Sequence, residues 1–250
     1  MSSLIRLLVL SVILLLPTAA WADSNRQTRP APAQAADPGP PPDLPVVPLP
    51  VPDSKSPVLA VILSGDGGWA DLDRDFGLAF QKRGIATVGF DCLKFFWSPK
   101  NPTQVTAALE TVLRYYLTAW DKQKVLLLGY SFGASWLPLV INSLPVDLQN
   151  RICLVALLAP GQYTNIEIKF GDWFHDVRRP GAIDVTQEAK ALRHPIICVY
   201  GLGEKHDSLC PLLTGINRKI IGMPGGHHFH KDYTPIEDAI ISGLNATAAP

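Results

Sequence analysis

The chain has 250 residues and carries 22 basic and 22 acidic residues, so its formal net charge is zero. This balance argues against a nucleic-acid-binding protein, because such proteins present an excess of lysine and arginine. The cysteines, Cys92, Cys153, Cys198 and Cys210, are too few for a disulfide-rich scaffold and lack the spacing of a metal site. We expect no metal and no other cofactor.

Residues 1–22 have the parts of a secretory signal peptide. Arg6 is the only basic residue there, residues 7–16 form an apolar core, and Ala20-Trp21-Ala22 fits a cleavage site. We expect cleavage before Asp23 and a soluble product in the periplasm. An uncleaved anchor is the alternative, but the apolar run has about 10 residues, whereas a membrane-spanning helix needs about 20.

Residues 23–56 are dominated by proline, alanine and small polar residues. Such a segment cannot bury a core and tends to the extended polyproline II conformation. We predict a disordered linker here, with a docking strip as the alternative, and one folded domain over residues 57–250. This domain of about 190 residues is long enough to bury a substantial core.

The domain alternates strand-like and helix-like segments. Apolar runs predict buried strands at residues 58–63, 85–90, 124–128, 152–158 and 196–200, and a short sixth strand at 219–221. Apolar residues at helical spacing predict helices at residues 71–83, 103–120, 132–144 and 235–244, the second of them capped by Thr103. This alternation implies an α/β fold, a mostly parallel sheet with helices on both faces and ligands at the carboxyl ends of its strands.

Two cysteines fall inside predicted strands. Cys153 and Cys198 are therefore expected to be buried thiols. A single disulfide is the alternative, because the predicted compartment is oxidising.

The motif Gly129-Tyr130-Ser131-Phe132-Gly133 lies between the third predicted strand and the helix that follows it. A serine between two glycines in this strand-turn-helix context is typical of a nucleophile elbow, in which the sharp turn exposes the serine hydroxyl. The alternative is a polar residue in a tight turn. We predict that Ser131 is a nucleophile and that the fold is of the α/β-hydrolase type.

A serine nucleophile needs a base and an acid, which follow it in the order Ser, Asp/Glu, His in this fold. His227, His228 and His230 follow the sixth strand. We favour His228 as the base, because a histidine before an aromatic residue is the usual ending of such loops, and His227 is second. A surface histidine cluster is the competing interpretation.

The acid is expected in the loop after the fifth predicted strand. Asp207 stands four residues before Pro211, a familiar spacing in this loop, and Glu204 is the alternative. The acid would hold the imidazole in its useful tautomer.

The segment LSGDGGWAD after the first predicted strand is a glycine-rich loop at the start of a helix. Backbone N–H groups in such a loop can stabilise an oxyanion, so we assign the oxyanion hole to the amides of Asp66 and Phe132. Gly65, Gly67, Trp69 and Tyr130 are expected to contact substrate. A phosphate-binding loop is the competing interpretation, but the Gly-Lys-Ser/Thr ending is missing.

Four aspartates lie in or just after this loop: Asp66, Asp71, Asp73 and Asp75. Their negative field would attract a substrate ammonium group. They are equally explained as acidic residues that stabilise a helix N-terminus.

Together the segments SGDGGW, GYSFG, YG-x-x-E-x-x-D and PGGHHF resemble those of the VirJ/AcvB family of bacterial virulence proteins, over essentially all of residues 57–244. The short form, without an additional N-terminal domain, is similar to VirJ. The resemblance implies an α/β-hydrolase fold, a periplasmic serine esterase, a link to type IV secretion with secretion-system proteins as partners, and hydrolysis of lysyl-phosphatidylglycerol at the membrane surface. The alternative is a non-catalytic periplasmic adaptor of a secretion apparatus, because a fold does not dictate a function.

Residues 166–183 lie where hydrolases of this kind carry a lid. Phe170, Trp173 and Phe174, with Arg178 and Arg179, are candidates for contact with an anionic lipid surface. Packing of these aromatic residues over the sheet is the alternative.

Overall fold

The computed structural model describes residues 41, 43–169 and 178–248. The predicted signal peptide, and Phe170, Trp173 and Phe174 of the predicted lid, lie outside the described residues. The structure therefore bears on the predicted folded domain and on the end of the predicted linker.

A seven-stranded sheet forms the centre of the described part of the chain. In chain order the strands are β1 (Val46–Leu49), β2 (Val58–Leu63), β3 (Ala86–Phe90), β4 (Lys124–Tyr130), β5 (Ile152–Leu158), the short β6 (Tyr163–Thr164) and β7 (Ile183–Asp184), β8 (Ile196–Gly201) and β9 (Arg218–Met223). The sheet order is β1-β3-β2-β4-β5-β8-β9, and β6 pairs with β7 in a separate two-stranded sheet. All neighbours in the large sheet are parallel except β1, which is antiparallel to β3. The predicted α/β architecture is confirmed.

The helices are α1 (Asp71–Lys82), α2 (Cys92–Phe95), α3 (Pro102–Ala119), α4 (Phe132–Ser143), α5 (Val146–Gln149), α6 (Thr186–Ala191) and α7 (Thr234–Ala248). The cap of α3 differs from the prediction: Asn101, rather than Thr103, accepts the Gln104 N–H and begins the helix, because Pro102 takes the first helical position. None of the helices in the described ranges is both long and apolar enough to cross a membrane.

The core has two layers because successive residues of a buried strand point to opposite faces of the sheet. Leu59, Val61 and Leu63 of β2 join a cluster that includes α3 and α4, whereas Ala60 and Ile62 join a cluster that includes α1 and α7. Burial on both faces explains why these strands are continuous apolar runs in the sequence.

Strand β1 corrects the linker prediction. Val46–Leu49 pair with Thr87–Phe90 of β3, so part of the proline-rich segment belongs to the sheet. The side chain of Leu49 also lies over Gly77 of α1. Pro48 is tolerated because β1 is an edge strand.

A disulfide joins Cys198 of β8 to Cys210. The expectation of a buried thiol at Cys198 is therefore wrong. Cys92 and Cys153 are free, the first buried and the second partly exposed. The bridge closes the loop that contains Glu204 and Asp207.

Candidate active site

Ser131 occupies a sharp turn between β4 and α4. Its φ of 52° and ψ of −115° are unusual for a residue with a side chain, and such backbone strain persists only where the surroundings hold it. The Ser131 N–H donates to the Leu158 carbonyl at the end of β5 (2.8 Å). The strand end and the helix start thus fix the serine at the carboxyl edge of the sheet.

The flanking glycines are required by close backbone contacts. A Cβ atom on Gly129 would lie 2.5 Å from the Cα of Ala134, and one on Gly133 would lie 2.4 Å from the Leu63 carbonyl oxygen. Real Cβ atoms do not approach backbone so closely. The motif therefore follows from how tightly the start of α4 packs against β4 and β2.

Ser135 is a second polar residue of the turn, which the sequence analysis missed. Its hydroxyl donates to the Ser131 carbonyl (3.1 Å) and accepts the Gly161 N–H (2.9 Å). Since Ser135 is buried, both bonds stabilise the turn. The sequence did carry one signal for this role: Ser135 lies one helical turn after Ser131.

His227 lies directly against the serine. Its Nε2 is 2.7 Å from the Ser131 Oγ, and its Nδ1 is 3.0 Å from the Glu204 Oε2. A carboxylate accepts hydrogen bonds, so we assign the proton of a neutral His227 to Nδ1, which leaves Nε2 free to accept from the serine hydroxyl. The His227 and Glu204 side chains are 37% and 34% exposed, so the chain of contacts lies open to a ligand.

The favoured residues Asp207 and His228 are not in this chain of contacts. The side chain of Asp207 is exposed, and its backbone N–H donates to the Glu204 carbonyl (3.1 Å). His228 directs its Nδ1 to the Tyr130 hydroxyl (2.7 Å). The two alternatives, His227 and Glu204, therefore occupy the positions next to Ser131 that we expected for His228 and Asp207. His230 lies against Gly225 instead.

Backbone contacts explain why Glu204 and His227 meet. The Gly203 N–H donates to the Gly225 carbonyl (3.0 Å), and a Cβ atom on Gly201 would lie 2.4 Å from the Gly226 carbonyl oxygen. The loops after β8 and β9 are therefore in direct backbone contact at these glycines. This contact brings Glu204, which follows Gly203, next to His227, which follows Gly226.

The glycine-rich loop after β2 passes beside the serine. A Cβ atom on Gly65 would lie 3.2 Å from the Tyr130 ring and 3.6 Å from the Ser131 Cβ. The buried Ser64 hydroxyl accepts the Cys92 N–H (2.9 Å) and donates to the Gly65 carbonyl (3.1 Å), which fixes the loop. Phe132 is the first residue of α4, where an N–H has no acceptor within the helix. The oxyanion hole at Asp66 and Phe132 stays a prediction.

Trp69 does not have the position expected for a substrate contact. Its ring lies over Gly89 of β3 and Gly77 of α1, so close that a Cβ atom on Gly89 would lie 2.3 Å from it. Trp69 therefore packs between helix and sheet. Tyr130 is buried, with its hydroxyl between His227 and His228. Gly67 is exposed. Substrate contact at Gly65 and Gly67 stays a prediction.

The four aspartates do not form one acidic surface. Asp71 pairs with Arg74 (2.7 Å), and Asp73 is buried, with its pKa raised to about 7 mainly by that burial. Asp66 is near enough to the site to raise the pKa of Tyr130, which is raised chiefly by burial. Asp66 and the buried Asp73 are thus the two aspartates of this group whose charges act on Tyr130, the residue before Ser131.

Within the described residues, no group of three or more His, Cys, Asp or Glu side chains is placed to hold a metal ion. The chemistry of the arrangement is that of a serine, an imidazole and a carboxylate.

A sequence profile of the bacterial virulence protein family VirJ matches residues 57–248. The chain belongs to the VirJ family. The resemblance found in the sequence motifs is thereby confirmed. The matched residues include every strand of the seven-stranded sheet of this VirJ family member except β1. No curated protein sequence matches it.

Solved structures similar to this VirJ family member have the same fold. MenH from S. aureus is 12% identical, with a TM-score of 0.61 over 82% of this chain and 99% of that chain. Est1E from Butyrivibrio proteoclasticus is 13% identical, with a TM-score of 0.57 over 80% and 93% of the two chains. An alpha-beta serine hydrolase homologue from Coxiella burnetii is 17% identical, with a TM-score of 0.54 over 80% and 90%. These likenesses show the predicted α/β-hydrolase fold.

Proposed function

We propose that this VirJ family member is a serine hydrolase that cleaves carboxylic esters, with Ser131 as nucleophile, His227 as general base and Glu204 as the acid that orients it. The observation that carries the proposal is the unbroken contact from the Ser131 Oγ through His227 to Glu204, at 2.7 and 3.0 Å. Both distances suit hydrogen bonds: the first lets the serine proton pass to the imidazole, and the second lets the carboxylate orient the imidazole.

In the proposed reaction, the Ser131 Oγ attacks the acyl carbonyl carbon while its proton moves to the His227 Nε2. The negative carbonyl oxygen that results would accept hydrogen bonds from the Phe132 and Asp66 amides. When the ester C–O bond breaks, His227 returns the proton to the leaving alcohol. Water then attacks the acyl-enzyme with His227 again as base, which releases the acid and restores the serine.

Glu204 would act without taking the proton. Its carboxylate accepts the Nδ1–H of His227, which fixes the tautomer and stabilises the imidazolium formed during the attack. Asp207 is the residue that sequence spacing favours for this role. The two assignments predict opposite outcomes for a pair of conservative variants.

For the substrate, we propose an aminoacyl ester of a phospholipid, most specifically lysyl-phosphatidylglycerol, cleaved in the periplasm. The support is the VirJ family membership, the signal-peptide pattern of residues 1–22 and the carboxylate of Asp66 beside the site. A lysyl group carries ammonium groups that such a carboxylate would attract. A role in virulence and type IV secretion, with secretion-system partners, belongs to the same proposal.

The test is release of free lysine from vesicles of lysyl-phosphatidylglycerol by the purified mature protein. Ser131→Ala should lower kcat by about 10⁴-fold or more, and Glu204→Gln by about 10² to 10⁴-fold. Asp207→Asn is the matched control and should stay near the wild-type rate, because its side chain is exposed and outside the contact chain.

Two results would overturn parts of the proposal. A strong loss in Asp207→Asn with an active Glu204→Gln would reverse the assignment of the acid. A folded wild-type protein that left both this lipid and simple chromogenic esters intact would refute the hydrolase and favour the non-catalytic adaptor.

A further inference from the structure

Tyr130, the residue before the candidate nucleophile, has a buried ring whose hydroxyl reaches the histidine loop. Its Oη lies 2.7 Å from the His228 Nδ1, and it donates to the His227 carbonyl oxygen at 3.3 Å. Tyr130 is 7% exposed, and a buried hydroxyl normally keeps a hydrogen-bond partner. One side chain thus contacts both histidines, while its backbone neighbour is Ser131.

The histidine loop needs such an anchor because its backbone is unusual. Phe229, His230 and Lys231 have positive φ angles of 50°, 51° and 59°, in a region that side chains disfavour. Phe229 is buried and holds the far side of the loop. On the near side, His227 is partly exposed, so its contacts with Glu204, Ser131 and Tyr130 determine where the ring stands.

We propose that Tyr130 and His228 form a clasp that positions His227 against Ser131. This inference rests on the proposed function, because it matters only if His227 is the base. Tyr130 and His228 are positioning residues: Tyr130 ties the backbone of His227 to the turn that carries the nucleophile, and His228 keeps the Tyr130 hydroxyl in place.

The clasp requires one arrangement of the protons. The Tyr130 hydroxyl donates to the His227 carbonyl oxygen, and the Nδ1–H of a neutral His228 donates to the Tyr130 oxygen. Burial raises the pKa of Tyr130, so the hydroxyl stays protonated. Partial desolvation, and the charge that His227 can acquire, lower the pKa of His228, so His228 stays neutral beside a base that becomes an imidazolium.

The test is covalent labelling of Ser131 by a fluorophosphonate probe, a reaction that needs the nucleophile and its base but no knowledge of the substrate. The maximal labelling rate and the probe concentration for half-maximal rate are measured for Tyr130→Phe, His228→Leu and His228→Asn. Asparagine can present a polar atom near the position of Nδ1, whereas leucine cannot. Tyr233→Phe is the matched control, since the Tyr233 ring packs near Phe76 (6.0 Å between centroids).

We expect Tyr130→Phe and His228→Leu to lower the maximal rate by about 10- to 100-fold, as a displaced base does, with little change in the half-maximal concentration. His228→Asn should recover most of the rate, and Tyr233→Phe should label like the wild type. Thermal unfolding checks that each variant is folded. If Tyr130→Phe fails to fold, His228→Leu and His228→Asn still test the clasp, because His228 is exposed.

The clasp is refuted if Tyr130→Phe labels at the wild-type rate, or if His228→Asn is as slow as His228→Leu. A folded wild type that resists the probe is a different failure: it refutes the proposed hydrolase, and the clasp with it.

Discussion

Removal of the disulfide is predicted to destabilise the domain by an amount that follows from the size of the loop it closes. Cys198 and Cys210 are 12 residues apart in sequence. In the chain-entropy account, removing a bridge that closes a loop of this size lowers the free energy of unfolding by about 3 kcal/mol at room temperature. The reason is that the unfolded chain gains conformational entropy. The bridge also closes the loop that carries Glu204, so its loss should reduce labelling of Ser131 as well.

The assay is thermal unfolding of the wild type and of the double variant Cys198→Ala/Cys210→Ala, each with and without reductant. For a domain of this size, about 3 kcal/mol corresponds to a fall in Tm of roughly 6 to 12 °C. The wild type with reductant should approach the double variant, which should not respond to reductant. Cys153→Ala is the control, because Cys153 is a free thiol and the variant keeps the full response.

Two results would refute this reasoning. One is a double variant within about 1 kcal/mol of the wild type, since loop closure would then contribute far less than the chain-entropy account requires. The other is an equal shift by reductant in the wild type and the double variant, which would place the effect outside this bridge.

Three further predictions concern packing and pH. Gly133→Ala should cost about 3 kcal/mol or more in urea unfolding, because its Cβ would lie 2.4 Å from the Leu63 carbonyl oxygen; a stability equal to that of the wild type would contradict this contact. Trp136→Ala should cost about 3 to 5 kcal/mol in the same assay, since the ring is fully buried, and a cost below about 1 kcal/mol would count against that burial. Burial raises the pKa of Asp73 to about 7, so the folded state holds this proton more tightly than the unfolded state, and the associated stability is lost as pH rises from about 4 through about 7. Asp73→Asn should therefore gain stability relative to the wild type between about pH 5 and about pH 8, and parallel curves for the two proteins would disprove the raised pKa.

The sequence predicted the fold because the relevant signals are local. Strands buried on both faces are unbroken apolar runs, and β2 and β5 have the predicted bounds of 58–63 and 152–158. The turn at Ser131 was predictable because close packing leaves room only for glycine at residues 129 and 133.

The partners of Ser131 were harder, because loop conformation decides which of two neighbouring residues faces the serine. Neither His227 nor His228 belongs to a periodic pattern, and the positive φ angles that follow them have no glycine to signal them. Likewise, Glu204 meets His227 through glycine contacts between two loops distant in sequence. The spacing of Asp207 from Pro211 carries no information about those contacts.

The sequence did not predict strand β1, and it left the disulfide as an alternative without its pairing, for related reasons. The proline-rich composition before residue 57 hides a short strand, because a single partner is enough to hold an edge strand. The pairing of Cys198 with Cys210 depends on how the loop after β8 returns to the sheet, which the separation of two cysteines does not reveal.

Strand β1 has a practical consequence for anyone who shortens the gene. A protein that starts at residue 57, where the family profile begins, would lack the strand that pairs with β3. The exposed edge of β3 would then present a row of unpaired N–H and C=O groups that can pair with another chain, which is a known route to aggregation. Expression should therefore begin upstream of Leu44, whose side chain, with that of Val46, also packs against the core.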